Sequence, residues 1–404
     1  MQFFPLPSFP RKRESSANTD YRRWIPAFAG MTGKTGMMME ARMTAEKTSG
    51  AYSWHQQQQQ HCLSLIQSHR LPHALLLWGI KGLGKYHFAE RLSHYLLCEK
   101  PDTVAMRACA DCISCHWLSA GTHPDYLVIR PEGSASIRVE AIRQIQAFAV
   151  QKSHAGQYRI ILIEPAEKMN LSAANALLKI LEEPFENTLF LLVSHHISAV
   201  LPTIKSRCQK LYFQPLDFES FKKIPEYQSY SLAEQESLFL LSQGAPKRFS
   251  DEKIILQHKE KFFSIMNALF SKTYTVIDAV SQLQKIEKEA DMDFEQLLDW
   301  MLIFTHQTII YTEENTRDLW ECNIIPEYSK RGRGAAQPRV RSVYAIHEHA
   351  RQAATKYPFE RRRVYRFYDK LLLMKQHLQD SANINPGIWL EDACLIFNKE
   401  VQLS

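Results

Sequence analysis

Residues 74–86 read ALLLWGIKGLGKY, and this stretch decides how the rest of the chain is read. Ala74 to Trp78 is a short apolar run that suits a buried strand, and three glycines follow at Gly79, Gly82 and Gly84 before Lys85. That order is the spacing of a phosphate-binding loop between a strand and a helix. Glycines let successive backbone N–H groups turn inward as an anion nest. The following helix adds its positive N-terminal end, and Lys85 would reach the outer phosphates.

Two positions depart from what such a loop needs to hydrolyse a nucleotide. After the lysine, a small hydroxyl from Ser or Thr should hold Mg²⁺, but the chain has Tyr86, whose phenol lies too far out. The apolar run Ile160 to Ile163 should end in an Asp–Glu pair that holds the metal's water and orients the attacking one; it ends in Glu164 and Pro165. Glu164 can still approach a metal through water, and Glu167 is a more distant substitute for the missing carboxylate. Independent ATP hydrolysis is therefore not expected. ATP or ADP binding through Gly79, Gly82, Gly84 and Lys85 stays open, beside the reading of a vestigial loop that only joins strand to helix.

Further along, apolar runs at Tyr126–Ile129, Arg159–Ile163, Leu189–Ser194 and Lys210–Phe213 predict strands. Residues 139–150 and 172–181 carry apolar side chains at helical spacing. Continuous apolar strands alternating with amphipathic helices imply a parallel sheet covered on both faces. Gln56 to Gln60 reads as the polar face of a helix. Beyond Pro215 the strand signals stop and the chain reads as all-α, with breakers at Gly244, Pro246 and Pro386. The expected division is an extension over 1–48, an α/β domain over 49–215, a small helical domain over 216–252 and a helical bundle over 253–404. Lys330, Arg331, Arg333, Arg339 and Arg341, mixed with Gly332, Gly334 and Pro338, read as a solvated loop, with contact to DNA phosphates or an acidic partner as the sharper alternative.

At 404 residues, with 45% hydrophobic and 23% charged residues, the chain has the composition of a soluble protein with several cores. No run approaches the roughly 20 apolar residues of a membrane span. A net charge of +6 is too mild to imply a nucleic-acid groove by itself. The segment 1–48 lacks apolar periodicity and is rich in Pro and Arg, so it is expected to be disordered. Within it, FPRKRESSANTDYRRWIPAFAGMT resembles the translation of a dispersed intergenic repeat, and Met37, Met38, Met39 and Met43 offer later starts; a basic arm is the functional alternative.

Eight cysteines are present, three of them within seven residues: Cys109, Cys112 and Cys115. With no secretory signal, such spacing reads as thiolate ligands in a reducing cytoplasm rather than as a disulfide framework. Cys98, at the end of the helix that follows the phosphate loop, supplies a fourth soft ligand for tetrahedral Zn²⁺, with His116 as its competitor. Four thiolates close the coordination shell, so the site is expected to be structural. Buried inert thiols are the alternative.

Residues 201–208 read LPTIKSRC and present Arg207. A planar guanidinium here can brace a γ-phosphate held by a neighbouring subunit, or it can be an ordinary surface ion pair. YSWHQ at 52–56, RLPHALLL at 70–77, the cysteine loop, AGTHPDY at 120–126, AANALLKILEEP at 173–184 and the SRC triplet at 206–208 together resemble, in order, the delta prime family of bacterial clamp-loader subunits within the AAA+ class. The resemblance is close over about 52–215 and weaker through LSQGAPKR at 241–248 and NINPGIWLE at 383–391.

That resemblance implies a RecA-like α/β domain with a helical lid and an all-α C-terminal collar that joins a five-membered ring. It implies Arg207 as an arginine finger acting in trans, and Cys98, Cys109, Cys112 and Cys115 as a zinc module. It implies gamma or tau motor subunits and delta as partners, and the sliding clamp and primed DNA through the assembled ring. The chain would then be a cytoplasmic accessory subunit of a DNA-directed DNA polymerase. Read locally, the polar face of the 173–184 helix, with Asn175, Lys179, Glu182 and Glu183, is either free to meet a neighbouring subunit or simply a solvated surface. Two other classes compete: an autonomous P-loop ATPase that remodels protein or DNA, against which Tyr86 and Pro165 weigh, and a zinc-dependent nucleic-acid-binding protein, against which the modest charge weighs.

Overall fold

Why 74–86 governs the fold is visible in how its strand is buried. The structure, a computed structural model, describes residues 52–131, 136–150, 158–270, 273–311, 361–380 and 386–402, all within the unit Gly50–Ser404. The extension 1–48 and the basic loop at 330–341 lie outside these residues.

Helix α1 (Gln56–Gln67) precedes strand β1 (Ala74–Trp78), which the phosphate-loop segment joins to α2 (Lys85–Leu97). Then follow α3 (Ile113–Ser119), β2 (Tyr126–Ile129), α4 (Val139–Val150), β3 (Arg159–Ile163), α5 (Leu171–Glu182), β4 (Thr188–Ser194), α6 (Pro202–Arg207) and β5 (Gln209–Tyr212). The last two strands each begin one residue before the sequence reading, and β5 also ends one residue earlier. The five strands form one parallel sheet in the order β2-β3-β4-β1-β5. Within it, Leu76 of β1 stands beside Leu192 of β4 on one side and Lys210 of β5 on the other.

Successive side chains of a strand point to opposite faces, so an unbroken apolar run needs cover on both. Leu75 and Leu77 pack with Cys62 of α1 and with Phe88, Ala89 and Leu92 of α2. Ala74 and Leu76 pack on the other face with Ile142 and Ile145 of α4 and Ala173 and Leu177 of α5. Each fully buried Leu or Ile contributes roughly 1.5–3 kcal/mol. Helix α5 starts where Asn170 Oδ1 accepts the Ala173 N–H at 2.8 Å, an N-cap bond. Its Ala173, Ala174, Leu177, Ile180 and Leu181 are buried, while Asn175, Lys179, Glu182 and the adjoining Glu183 face solvent.

The helical continuation comprises α7 (Phe218–Phe221), α8 (Leu232–Ser242), α9 (Glu252–Phe270), α10 (Val276–Glu289), α11 (Phe294–Tyr311), α12 (Arg361–Asp380) and α13 (Pro386–Phe397). Capping boxes at Ser231/Glu234 and Thr275/Asp278 set the starts of α8 and α10. A single apolar cluster runs from Phe221 through Phe262 and Trp300 to Val401, so residues on both sides of position 252 share it. Among the described residues no helix is long and apolar enough to cross a membrane.

Candidate functional site

Gly79, Gly82 and Gly84 take φ of +150°, +88° and +77°, the left-handed values that favour glycine. The loop they build is covered by the chain's own groups. A Cβ on Gly84 would lie 2.6 Å from the Tyr52 ring, and one on Gly82 would lie 2.5 Å from Arg248 Cα. Tyr52 stacks on Trp54 at 4.4 Å; Trp54 Nε1–H and His55 Nε2–H donate to Leu83 O at 3.2 and 2.7 Å. On the other side, Lys247 N–H donates to Gly82 O at 2.8 Å. Lys85 is 2% exposed and its Nζ donates back to Ile80 O at 2.7 Å. Burial pushes its pKa down to about 7 against the opposing field of Glu167 and Glu164.

The metal side of the loop is occupied as well. Tyr86 O–H donates to Glu90 at 3.2 Å, and the Arg130 guanidinium lies 4.2 Å above its ring. The same guanidinium pairs with Glu164 at 3.0 Å. Burial raises the Glu164 carboxyl, and Arg130 opposes the rise. Glu167, the substitute weighed from sequence, uses Oε1 to accept the His195 N–H at 2.9 Å beyond the end of β4. Arg130 carries no sequence signal of its own; the order of β2 beside β3 brings it to Glu164.

Helix α2, which begins at Lys85, ends at Leu97 just before Cys98, and α3 begins just after Cys112. One thiol sulfur from each of Cys98, Cys109, Cys112 and Cys115 lies within 4.8 Å of all the others. The Cys98–Cys112, Cys109–Cys115 and Cys98–Cys115 sulfur separations are 4.0, 3.8 and 3.7 Å. Four sulfurs at about 2.3 Å from one ion lie about 3.8 Å apart, so the spacing fits tetrahedral coordination by a single metal. Backbone N–H groups of Cys109, Cys112 and Cys115 point at the sulfurs of Cys98, Cys109 and Cys112, which favours thiolates. The N–H of Asp111 is the main cause of a Cys109 pKa lowered to about 6, whereas burial raises Cys115. The set holds Cys98 as the fourth sulfur rather than His116.

AGTHPDY explains how this loop is anchored. His123 Nδ1 accepts the Asp125 N–H at 3.0 Å, so its Nε2–H donates to Ser114 Oγ at 2.8 Å; Ser114 O–H in turn donates to Leu97 O. Ser114 lies between two of the cysteines, and buried Asp125 faces Arg159 at 3.8 Å. The motif therefore ties the cysteine loop to the start of β2.

Arg207 ends α6 on the opposite character of surface. Its side chain is 34% exposed, and its guanidinium donates to Glu182 at 2.5 Å and to Thr203 O at 3.0 Å. Glu182 belongs to the exposed face of α5, so the arginine and that face adjoin.

A parallel sheet with a glycine-rich loop between β1 and α2, continued by helices, places the chain in the class of P-loop α/β proteins. A family model described as "DNA polymerase III, delta subunit" matches residues 54–217. A "DNA polymerase III subunit delta'" from Pseudomonas aeruginosa is 51% identical over 137 residues, 34% of this chain and 41% of that protein. The protein of that description from Escherichia coli is 34% identical over 165 residues, 41% of this chain and 49% of that one. The Yersinia pestis protein is 32% identical over 240 residues, 57% of this chain and 67% of that protein. The chain belongs to the DNA polymerase III delta' subunit family. It spans less than half the length of the first two of these relatives.

Proposed function

We propose that the chain serves as the delta' subunit of a bacterial clamp loader and acts as a stator that lends Arg207 to a neighbour's ATP. Its partners on this reading are gamma or tau motor subunits and delta, with the sliding clamp and primed DNA engaged through the assembled ring. The carrying observation is Arg207: a partly exposed guanidinium held by a surface carboxylate, next to the exposed polar face of α5. Glu182 keeps the side chain ordered, and a triphosphate presented by a neighbour carries more charge than one exposed carboxylate and can displace it. The guanidinium would then brace the γ-phosphate and the charge that develops on transfer.

The covered phosphate loop supports a subunit that turns over no nucleotide of its own. Reaching phosphates would require Lys85 to leave Ile80 O and the Tyr52–Trp54 stack to leave Gly84. The four cysteines would hold zinc, which supplies a structural cross-link between the end of α2 and the start of α3. The sulfur spacing and the N–H groups aimed at the thiols support that assignment.

The test is reconstitution with motor subunits and delta. Arg207→Ala is expected to leave assembly intact and to lower the clamp-stimulated ATPase; an unchanged rate would remove the assigned role. ATP turnover by the isolated chain, abolished by Lys85→Ala, would favour the autonomous ATPase instead.

A further inference from the structure

Lys81 of the phosphate loop and Arg248 beside it meet carboxylates that come from one place. Just before helix α11, Asp293 Oδ1 accepts the Gln296 N–H at 2.8 Å while Gln296 Oε1 accepts the Asp293 N–H at 2.8 Å. The first turns of the helix therefore stand fixed. Asp293 reaches Lys81 of the loop at 2.5 Å. Glu295 meets His196, just beyond the end of β4, at 3.3 Å. Asp299, 3% exposed, accepts from Arg248 at 3.0 Å and from Lys375 of α12 at 2.5 Å. Gln296 Nε2–H adds a bond to Arg248 O at 2.8 Å, on the residue whose Cα covers Gly82.

We propose that Asp293, Glu295 and Asp299 are the phosphate loop's resident anion, serving the charge role of a polyphosphate and holding the helical half closed on the sheet without nucleotide. A nest of N–H groups with lysines is costly to leave without a counter-charge, and a nucleotide-binding subunit answers that need with phosphate. Here carboxylates in and just before α11 supply counter-charge at Lys81 and at Arg248 over Gly82, while Lys85 turns to Ile80 O. Burial alone would raise Glu295, yet His196, Arg248 and Lys375 hold it below the ordinary carboxylate range. The field of Glu295 also reaches Lys85. The proposal concerns the chain's own loop and stands apart from the role given to Arg207.

Full-length protein is compared with Asp293→Asn/Glu295→Gln by amide hydrogen exchange and by calorimetric titration with tripolyphosphate. Exchange over 79–85 and 293–296 is expected to rise together, by roughly ten-fold or more, in the double variant. Tripolyphosphate is expected to give no heat with wild type and saturable heat with the variant, lost again when Lys85→Ala is added. Unchanged exchange over 79–85, or the same tripolyphosphate response in both proteins, overturns the proposal. Should the double variant not fold, the swap Lys81→Asp/Asp293→Lys decides. A swap that regains wild-type exchange where each single substitution raises it supports the clasp, and a swap no better than either single substitution removes it.

Discussion

Lys85 and Arg207 are both cations suited to phosphate and both sit on the α/β layer, yet the chain treats them in opposite ways. Lys85 is buried, its ammonium bonded to the loop that carries it and its pKa pulled down by desolvation. Arg207 keeps a third of its side chain in solvent and leans on an exposed carboxylate. A guanidinium with that freedom can be handed to another molecule at little cost, whereas a buried ammonium bonded to Ile80 O cannot. The contrast teaches that a glycine–lysine loop reports ancestry of fold, while the surroundings of the cation report its use.

The largest test of the enclosed side acts through helix α2, which carries Lys85 at one end and leads into Cys98 at the other. One zinc per chain is expected by metal analysis. Structural zinc contributes on the order of 10 kcal/mol in small peptides, so chelation or Cys112→Ser should unfold the 98–119 loop. Hydrogen exchange should rise there and at the C-terminal end of α2 while the 202–207 helix keeps its protection; equal loosening at both would break the comparison.

Next in size is Gly82→Ala. The added methyl meets the backbone of Arg248 and forces a left-handed φ on an alanine, which together should lower stability by roughly 1–3 kcal/mol in denaturant unfolding. A loop left open for a ligand would show the conformational strain alone.

Acid should weaken the enclosed side through histidine. Burial lowers His55, His87 and His94 to about 4. The unfolded chain takes up these protons near 6.5 and the folded chain resists until about 4, so stability falls as pH drops through that window. Thermal unfolding between pH 7 and 4 should show the fall, and His55→Gln should flatten it. Lys85 acts with the same sign higher up: its folded pKa lies near 7 and its unfolded value near 10.5, so stability rises with pH between them.

The smallest expected effect is none. Tyr86→Ser restores a hydroxyl but leaves Arg130 on Glu164 and Pro165 in the carboxylate's place, so magnesium-dependent ATP turnover should remain absent in a phosphate-release assay. Turnover in that single variant would show the loop to be one residue from a working motor.

Much of this was legible in the sequence because it rests on local signals. Apolar runs bounded by turn residues place the five strands within one residue, and the spacing of Cys109, Cys112 and Cys115 with Cys98 beyond α2 gives the four sulfurs. Tyr86 and Pro165 also mark the loop's loss of hydrolytic parts without a structure. What covers the loop was not legible. Trp54 and His55 are 29 and 28 residues from Leu83, and Lys81 is 212 from Asp293. No local period links such pairs; only the sheet order and the packing of α11 bring them together. YSWHQ was visible as a resemblance, but its work as the cover of Gly84 needed coordinates.

One paired measurement bears on the central claim most directly: clamp-stimulated ATPase of the reconstituted complex carrying Arg207→Ala or, separately, Lys85→Ala. An arginine finger contributes about 10³-fold or more at the site it serves. The account predicts a clear loss of turnover with the arginine variant and a rate near wild type with the lysine variant. Loss with the lysine variant and none with the arginine variant would contradict it.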